Sequence, residues 1–291
     1  MDPGRARRPA AREVEQLGGN TGMVSVNTRF EAVGAIGRDE EFDFARRDSS
    51  ATGPDEDWEA LSRFALDPRH LARNRVISAG RTDPAHVAFN VLRTRILRAL
   101  KARGWSRIGI TSPSQGCGKT FVASNLALSL SRQASCRTVL VDMDLRIPAL
   151  ARVLGVPNPG RIQEFLTGET PFAAHFLRVT PNLAVGLNSE MVPDSAELMQ
   201  EPATATALDA MRAAFRPDVV LYDLPPALVC DDVFAFLPQL DCVLVVAGGG
   251  TSKAEDVRKC ERLFADQIPI LGVILNRSED PAIEPYGSYG V

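Results

Sequence analysis

The stretch Arg107-Ile-Gly-Ile-Thr-Ser-Pro-Ser-Gln-Gly-Cys-Gly-Lys-Thr120 decides the fold. Its apolar start, Arg107 to Ile110, predicts a buried strand, and the residues from Lys119 to about Gln133 read as a helix. The segment between them turns the chain from one to the other. Gly116 and Gly118 let successive backbone amides curl around phosphate oxygens, and the helix N-terminus adds a favourable dipole. Lys119 is placed to reach the β- and γ-phosphates of a nucleotide, and the Thr120 hydroxyl to ligate Mg²⁺. Ser114, Gln115, Gly116, Cys117, Gly118, Lys119, Thr120 and Phe121 are therefore the predicted phosphate cradle. Pro113 stands where the GxxxxGK[ST] pattern has its first glycine, so the strand–loop–helix context carries the reading.

Outward from this segment, short apolar runs alternate with helical stretches. Strands are expected at Thr138–Val141, Leu183–Leu187, Asp218–Tyr222, Asp241–Val246 and Ile270–Leu275. Helices are expected at Glu197–Phe215, running through Pro202, and at Lys253–Ala265. Before the first strand, Phe89, Leu92, Ile96, Ala99 and Leu100 recur at helical spacing, with Arg93, Arg95 and Arg98 on a solvated face. Buried β-branched runs alternating with helices predict an α/β fold, a predominantly parallel sheet flanked by helices on both faces.

Two carboxylate motifs follow strands of this sheet. In Val139-Leu-Val-Asp-Met-Asp-Leu-Arg146, period-two alternation sends Asp142 and Asp144 to one side of the strand end, the edge where ligands of such sheets bind. In Val219-Val-Leu-Tyr-Asp-Leu-Pro-Pro226, Asp223 ends an apolar strand and suits the metal-side carboxylate of a phosphate-loop enzyme.

Bulk properties bound the alternatives. A net charge of −3 and a pI near 5.7 give no general attraction to nucleic acid. The run Cys242–Ala247 is far shorter than the roughly 20 apolar residues of a membrane span. No apolar segment suited to a signal peptide follows the N-terminus. The five cysteines show no paired metal-ligand spacing and read as reduced thiols of a cytoplasmic protein, with Cys117 the one candidate for oxidation. Residues 1–65 break any sustained period and are expected to form a disordered extension, with a small docking module around Trp58 to Leu71 as the alternative. The expected organisation is 1–65 extension, 66–104 amphipathic helical lead-in, 105–280 nucleotide-binding domain and 281–291 flexible tail.

Together the three sites resemble the bacterial tyrosine kinases (BY-kinases) of capsule and exopolysaccharide synthesis, the CpsD/CapB-like group within the MinD/ParA-like P-loop NTPases. Those kinases carry a Walker A loop, a Walker A′ of three apolar residues followed by DxDxR, and a Walker B of three apolar residues followed by DxxP. Val139 to Arg146 matches the A′ form fully, and Val220 to Pro226 matches Walker B with Tyr222 an unusual apolar choice. The resemblance runs from about Leu66 to Asp280 and includes Leu145-Arg-Ile-Pro148, Pro193-Asp-Ser-Ala-Glu-Leu198, Asp232 and Gly272-Val-Ile-Leu-Asn276.

The resemblance implies an ATP- and Mg²⁺-dependent protein-tyrosine autokinase that regulates exopolysaccharide or capsule export. It implies catalytic roles for Lys119, Asp142, Asp144 and Asp223, with Thr120, Asp142 and Asp223 holding the metal. Asp142 would orient the attacking hydroxyl, and Arg146 would steady the cluster by pairing with a carboxylate. Asn276 and Arg277 fall on the nucleotide, with adenine as the base, although Asn276-Arg-Ser-Glu279 approaches the guanine-reading NKxD. It further implies a membrane chain-length-determinant (Wzz-like) co-polymerase as activating partner, a cytoplasmic location at the inner face of the plasma membrane, and a homo-oligomer formed by trans engagement of the tail.

Two departures stand out. The tail offers only Tyr286 and Tyr289 as acceptors, where the family has a dense cluster. The family's ExxRxxR helix, aligned on Arg93, has Val87 and Asn90 where Glu and Arg are expected, which puts the ring contact in doubt. Two other readings share the fold. A MinD/ParA-like ATPase switch would carry its signature lysine at the position of Ser114 and a basic amphipathic C-terminal helix; this chain has neither. A nucleotide-binding regulatory subunit without kinase activity is suggested by the sparse tyrosines alone.

Overall fold

Successive residues of a strand point to opposite faces of its sheet, and here both faces are buried. A computed structural model describes residues 27–29, 56–76 and 84–277. Its strands are β1 (Asn27–Arg29), β2 (Ser62–Arg63), β3 (Arg107–Thr111), β4 (Thr138–Asp142), β5 (Leu177–Thr180), β6 (Leu183–Gly186), β7 (Val219–Asp223), β8 (Cys242–Gly248) and β9 (Ile270–Asn276). They form one sheet in the order β1-β9-β8-β3-β7-β4-β6-β5-β2. The run from β9 to β6 is parallel; β1 joins β9, and β5 joins β6, antiparallel.

The helices are α1 (Glu56–Ala60), α2 (Pro68–Arg73), α3 (Pro84–Arg103), α4 (Lys119–Leu130), α5 (Leu150–Leu154), α6 (Ile162–Leu166), α7 (Phe172–His175), α8 (Ser195–Gln200), α9 (Pro202–Phe215), α10 (Asp232–Phe236) and α11 (Ala254–Phe264). One core layer joins α3 and α4 to Ile108, Ile110, Leu140, Leu221, Leu244 and Val246. The opposite layer joins α6, α8, α9, α10 and α11 to Val139, Val141, Val220, Tyr222, Val243 and Val245. Odd and even residues of the same strands thus feed separate layers. Helix α4 is buried almost all round, and its buried Ser124, Asn125 and Ser129 donate to backbone carbonyls of Thr120, Phe121 and Phe89. Helix α3 packs on it through Phe89, Leu92, Ile96 and Leu100, and the Arg93 guanidinium donates to the Ser129 carbonyl at 2.9 Å. At β3, Gly109 lies where an added Cβ would come within 2.7 Å of Leu240 and Leu224 side chains, so the close approach there excludes a larger residue.

Three expectations are corrected. The predicted helix through Pro202 is two helices. Proline disfavours the helical region for its predecessor, and Glu201 is extended (φ −62°, ψ 137°), so Pro202 opens α9 instead of lying inside it. The helix expected to reach Gln133 stops at Leu130 and continues as turns.

The third correction concerns the N-terminal extension, whose last ten residues are structured in the manner of the docking alternative. Trp58 is 1% exposed; its indole N–H donates to the Pro181 carbonyl at 3.0 Å, its ring meets Phe215 edge-on, and the Arg137 guanidinium lies 4.6 Å from its centroid. Buried Arg178 pairs with Glu59 at 2.6 Å, and β2 extends the sheet beside β5. Elements of five and two residues are too short to show a period, so a single well-placed tryptophan does what a longer amphipathic segment would. β1 also falls inside the predicted extension; the rest of residues 1–55, and the tail with Tyr286 and Tyr289, lie outside the described residues.

Candidate active site

Strand parity and register assemble the site. Asp142 has the parity of Leu140, and Asp223 that of Leu221, so both carboxylates fall on the α4 face of the sheet. The two are register partners on the adjacent strands β4 and β7, and Ile110 of β3 pairs with Asp223 on its other side. The phosphate loop leaves β3 one residue later. Strand ends are tied by the Met143 amide donating to the Asp223 carbonyl at 2.8 Å and the Thr111 hydroxyl donating to the Pro225 carbonyl at 2.7 Å.

The loop itself is braced from two sides. Gly116 and Gly118 have φ of 79° and 92°, the left-handed region that glycine enters without strain. The Asn276 amide donates to the Cys117 carbonyl at 2.9 Å and occupies the space where a Gly118 side chain would sit. From the loop before α11, the Ser252 hydroxyl lies 3.2 Å from the Cys117 sulfur and accepts from the Gly248 amide at 3.0 Å. Burial pushes the Cys117 thiol up, but hydrogen bonds from Ser252 and Ser114 outweigh it and leave the pKa lowered. The first intrahelical bond of α4 runs from Val122 to Gly118, so the amides of Lys119, Thr120 and Phe121 point out of the helix without intrahelical partners. Gln115 and Gly116 are exposed at the loop's crest, and Phe121 packs its ring edge-on to Phe89. Exposed Arg277 follows Asn276 in a left-handed conformation, with φ of 58°.

Lys119, only 8% exposed, places its ammonium 3.6 Å from an Asp144 carboxylate oxygen. The other Asp144 oxygen accepts from the Ile147 amide at 3.1 Å, which closes the turn after β4. Asp142 accepts from the Leu150 amide through one oxygen. Its Oδ1 and both oxygens of Asp223 are buried without a hydrogen-bond partner among the described residues. Burial, then the charge of Asp223, raises the Asp142 pKa well above the ordinary carboxylate range. Burial lifts Asp223 to about 7 against the pull of Lys119 and of the Thr120 hydroxyl, which lies near without satisfying either oxygen. Asp144 is raised by burial despite Lys119.

Three orphaned carboxylate oxygens beside a lysine and a helix N-terminus fit a hard divalent cation with oxygen ligands. Among the described residues, no three His, Cys, Asp or Glu side chains converge as a ready metal cage. Mg²⁺ needs none, since it binds through one or two carboxylates plus phosphate and water. Asp142 and Asp223, with the Thr120 hydroxyl near Asp223, are the side chains that could hold it. The predicted cradle and carboxylates thus meet at one sheet edge. Arg146, expected to pair with a carboxylate, does so with Asp232 at 2.7 Å, beside the Asp142, Asp144 and Asp223 cluster rather than within it. Ser252 carried no sequence signal, because 135 residues separate it from Cys117.

A family model described as ParA, NUBPL iron-transfer P-loop NTPase, matches residues 105–282. EpsB of Ralstonia nicotianae is 29% identical over 72% of this chain, which spans 27% of EpsB's length. The tyrosine-protein kinase YwqD of Bacillus subtilis is 28% identical over 69% of this chain and 85% of its own. Among solved structures, the kinase domain of the Escherichia coli tyrosine kinase ETK superposes with a TM-score of 0.62 at 27% identity, covering 72% of this chain and 82% of that one.

Proposed function

Because the chain belongs to the ParA family of P-loop NTPases, we propose that it is an ATP-dependent protein-tyrosine kinase that phosphorylates its own tail and regulates capsule or exopolysaccharide export. The observation that carries this reading is the pair of register-matched, unpartnered carboxylates, Asp142 and Asp223, beside Lys119. A nucleotide switch needs to sense a phosphate; phosphoryl transfer to a hydroxyl also needs an acceptor for a proton. The similarity to YwqD and to the ETK kinase domain supports the same chemistry.

In this mechanism the amides of residues 116–121 cradle the phosphates, and Lys119 neutralises the β- and γ-oxygens. Mg²⁺-ATP, when bound, supplies the phosphoryl group and the counter-charge for the carboxylates. Thr120, Asp142 and Asp223 would hold that cation, with Asp144 supporting them. Asp142 would orient the attacking hydroxyl and take its proton as the γ-phosphoryl group passes to the hydroxyl oxygen and ADP leaves. Tyr286 and Tyr289 are the proposed acceptors. Positioning and charge neutralisation are what phosphoryl transfer chiefly requires. Asn276 and Arg277 border the base, read here as adenine. The proposed partner is a membrane chain-length-determinant co-polymerase, through which the chain sits at the inner membrane face. Among the described residues no helix is long and apolar enough to cross a membrane.

Incubation with Mg²⁺-ATP followed by mass spectrometry of the tail tests the reading. Phosphate on Tyr286 or Tyr289 is expected in the wild type and absent from Lys119→Met and Asp142→Asn. ATP hydrolysis without phosphotyrosine, even with the partner's cytoplasmic segment added, would favour an ATPase switch instead.

A further inference from the structure

Helix α3 turns one face to the core through Phe89, Leu92, Ile96 and Leu100 and another face outward. On the outward face Val87, Val91, Arg95, Arg98 and Lys101 recur every three or four residues and form one stripe along the helix. All five are exposed, Val87 by 51% and Val91 by 36%. The stripe is apolar at its start and cationic beyond, and the twenty residues of α3 include no carboxylate to balance it. Helix α11 is arranged differently. Its Arg258 and Arg262 pair with Glu255, and its Lys259 with Asp256, all within the helix. The outward face of α3 therefore suits an occupant that is acidic and apolar at once.

The path of the chain supplies one. Strand β1 ends at Arg29 on one edge of the sheet, and α1 begins at Glu56 beside the other edge. Eight strand spacings, about 38 Å, separate β1 from β2. Residues 30–55 reach about 85 Å when extended, enough to cross the sheet over its helices. Helix α3 packs on α4, which lies over the central strands β4 and β7. The middle of the connection reads Asp39-Glu-Glu-Phe-Asp-Phe44, four carboxylates and two phenylalanines in six residues. We propose that residues 39–44 of this chain seat on the outward face of α3, Phe42 and Phe44 against Val87 and Val91, and the carboxylates against Arg95, Arg98 and Lys101. Tethering at both ends holds the segment at a local concentration on the order of millimolar, so contacts too weak to retain a separate peptide suffice. The same stripe on a second copy would instead set cation against cation.

The test is photo-crosslinking of the full chain, with p-benzoylphenylalanine incorporated in place of Thr94, which is exposed on the same stripe. An equimolar mixture of natural-abundance and ¹⁵N-labelled protein is irradiated, and the linked peptides are identified by mass spectrometry. Links to the peptide containing residues 39–44 are expected, and only between peptides of the same isotope, as an intramolecular contact requires. Combining Phe42→Ser with Phe44→Ser is expected to lower their yield at least fivefold, and Arg98→Glu at least threefold, with melting curves showing each variant folded. If the phenylalanine variant does not fold, Arg98→Glu carries the test alone. Mixed-isotope links would show that a second copy covers α3, and links to residues 281–291 that the tail does; either result overturns the proposal. So does the absence of any link to residues 39–44, or a yield that neither variant lowers.

Discussion

Asp223 shows how one side chain couples fold stability to ligand binding. Its carboxyl is buried, lacks a hydrogen-bond partner among the described residues, and titrates near 7; Asp142 beside it is also raised. A raised carboxyl keeps in the folded state a proton that the unfolded chain gives up near pH 4. Where the native state binds more protons, stability falls as pH rises. The nucleotide-free protein should therefore lose stability between about pH 4 and pH 7 relative to Asp223→Asn, whose profile should be flatter. Urea midpoints of both proteins at pH 5 and pH 7.5 check this. Equal slopes would mean that Asp223 is not protonated in the fold. The carboxylate motif was legible in the sequence; its proton was not, since burial on both faces depends on α4 and on the neighbouring strands.

At the scale of elements, the segment α1–β2 closes the edge of the sheet opposite β1. From β3 to β2 there are five strand spacings, about 24 Å. Trp58→Ala removes a buried indole from between Phe215 and Arg137, and truncations of this kind cost about 3–5 kcal/mol. We expect a loss of that size in urea unfolding with nucleotide affinity unchanged within twofold. A large drop in affinity with little loss of stability would show instead that the edge communicates with the site. Long elements such as α3 and the buried strands announced themselves by period and composition. The short helices α5, α6, α7 and α10 did not, because four or five residues make little more than one turn, and tertiary packing stabilises them.

For the whole molecule, the sheet's outer strands are where another chain would pair edge to edge. β1 pairs antiparallel with three residues of β9 and covers backbone groups that would otherwise form an open edge. Removing residues 1–30 exposes that edge on an apolar strand, Ile270–Asn276. Light scattering at micromolar concentration should then show association absent from the full chain, while mant-ADP affinity is retained. Unchanged monodispersity after the deletion would show that β9 is protected in another way.

The phosphate loop with which the chain declares itself, Ser112 to Thr120, and the carboxylates Asp142, Asp144 and Asp223 were determined by local sequence. Glycine freedom, strand parity and helix polarity act within a few residues and leave a readable pattern. Tertiary structure alone decided that Asp142 and Asp223 are register partners and that Asn276 and Ser252 brace the loop. It also decided that Arg146 faces Asp232 and that Trp58 anchors the N-terminal edge. Those contacts join residues from 81 to 159 positions apart along the chain, and their partners are chosen by strand order, to which no local pattern has access.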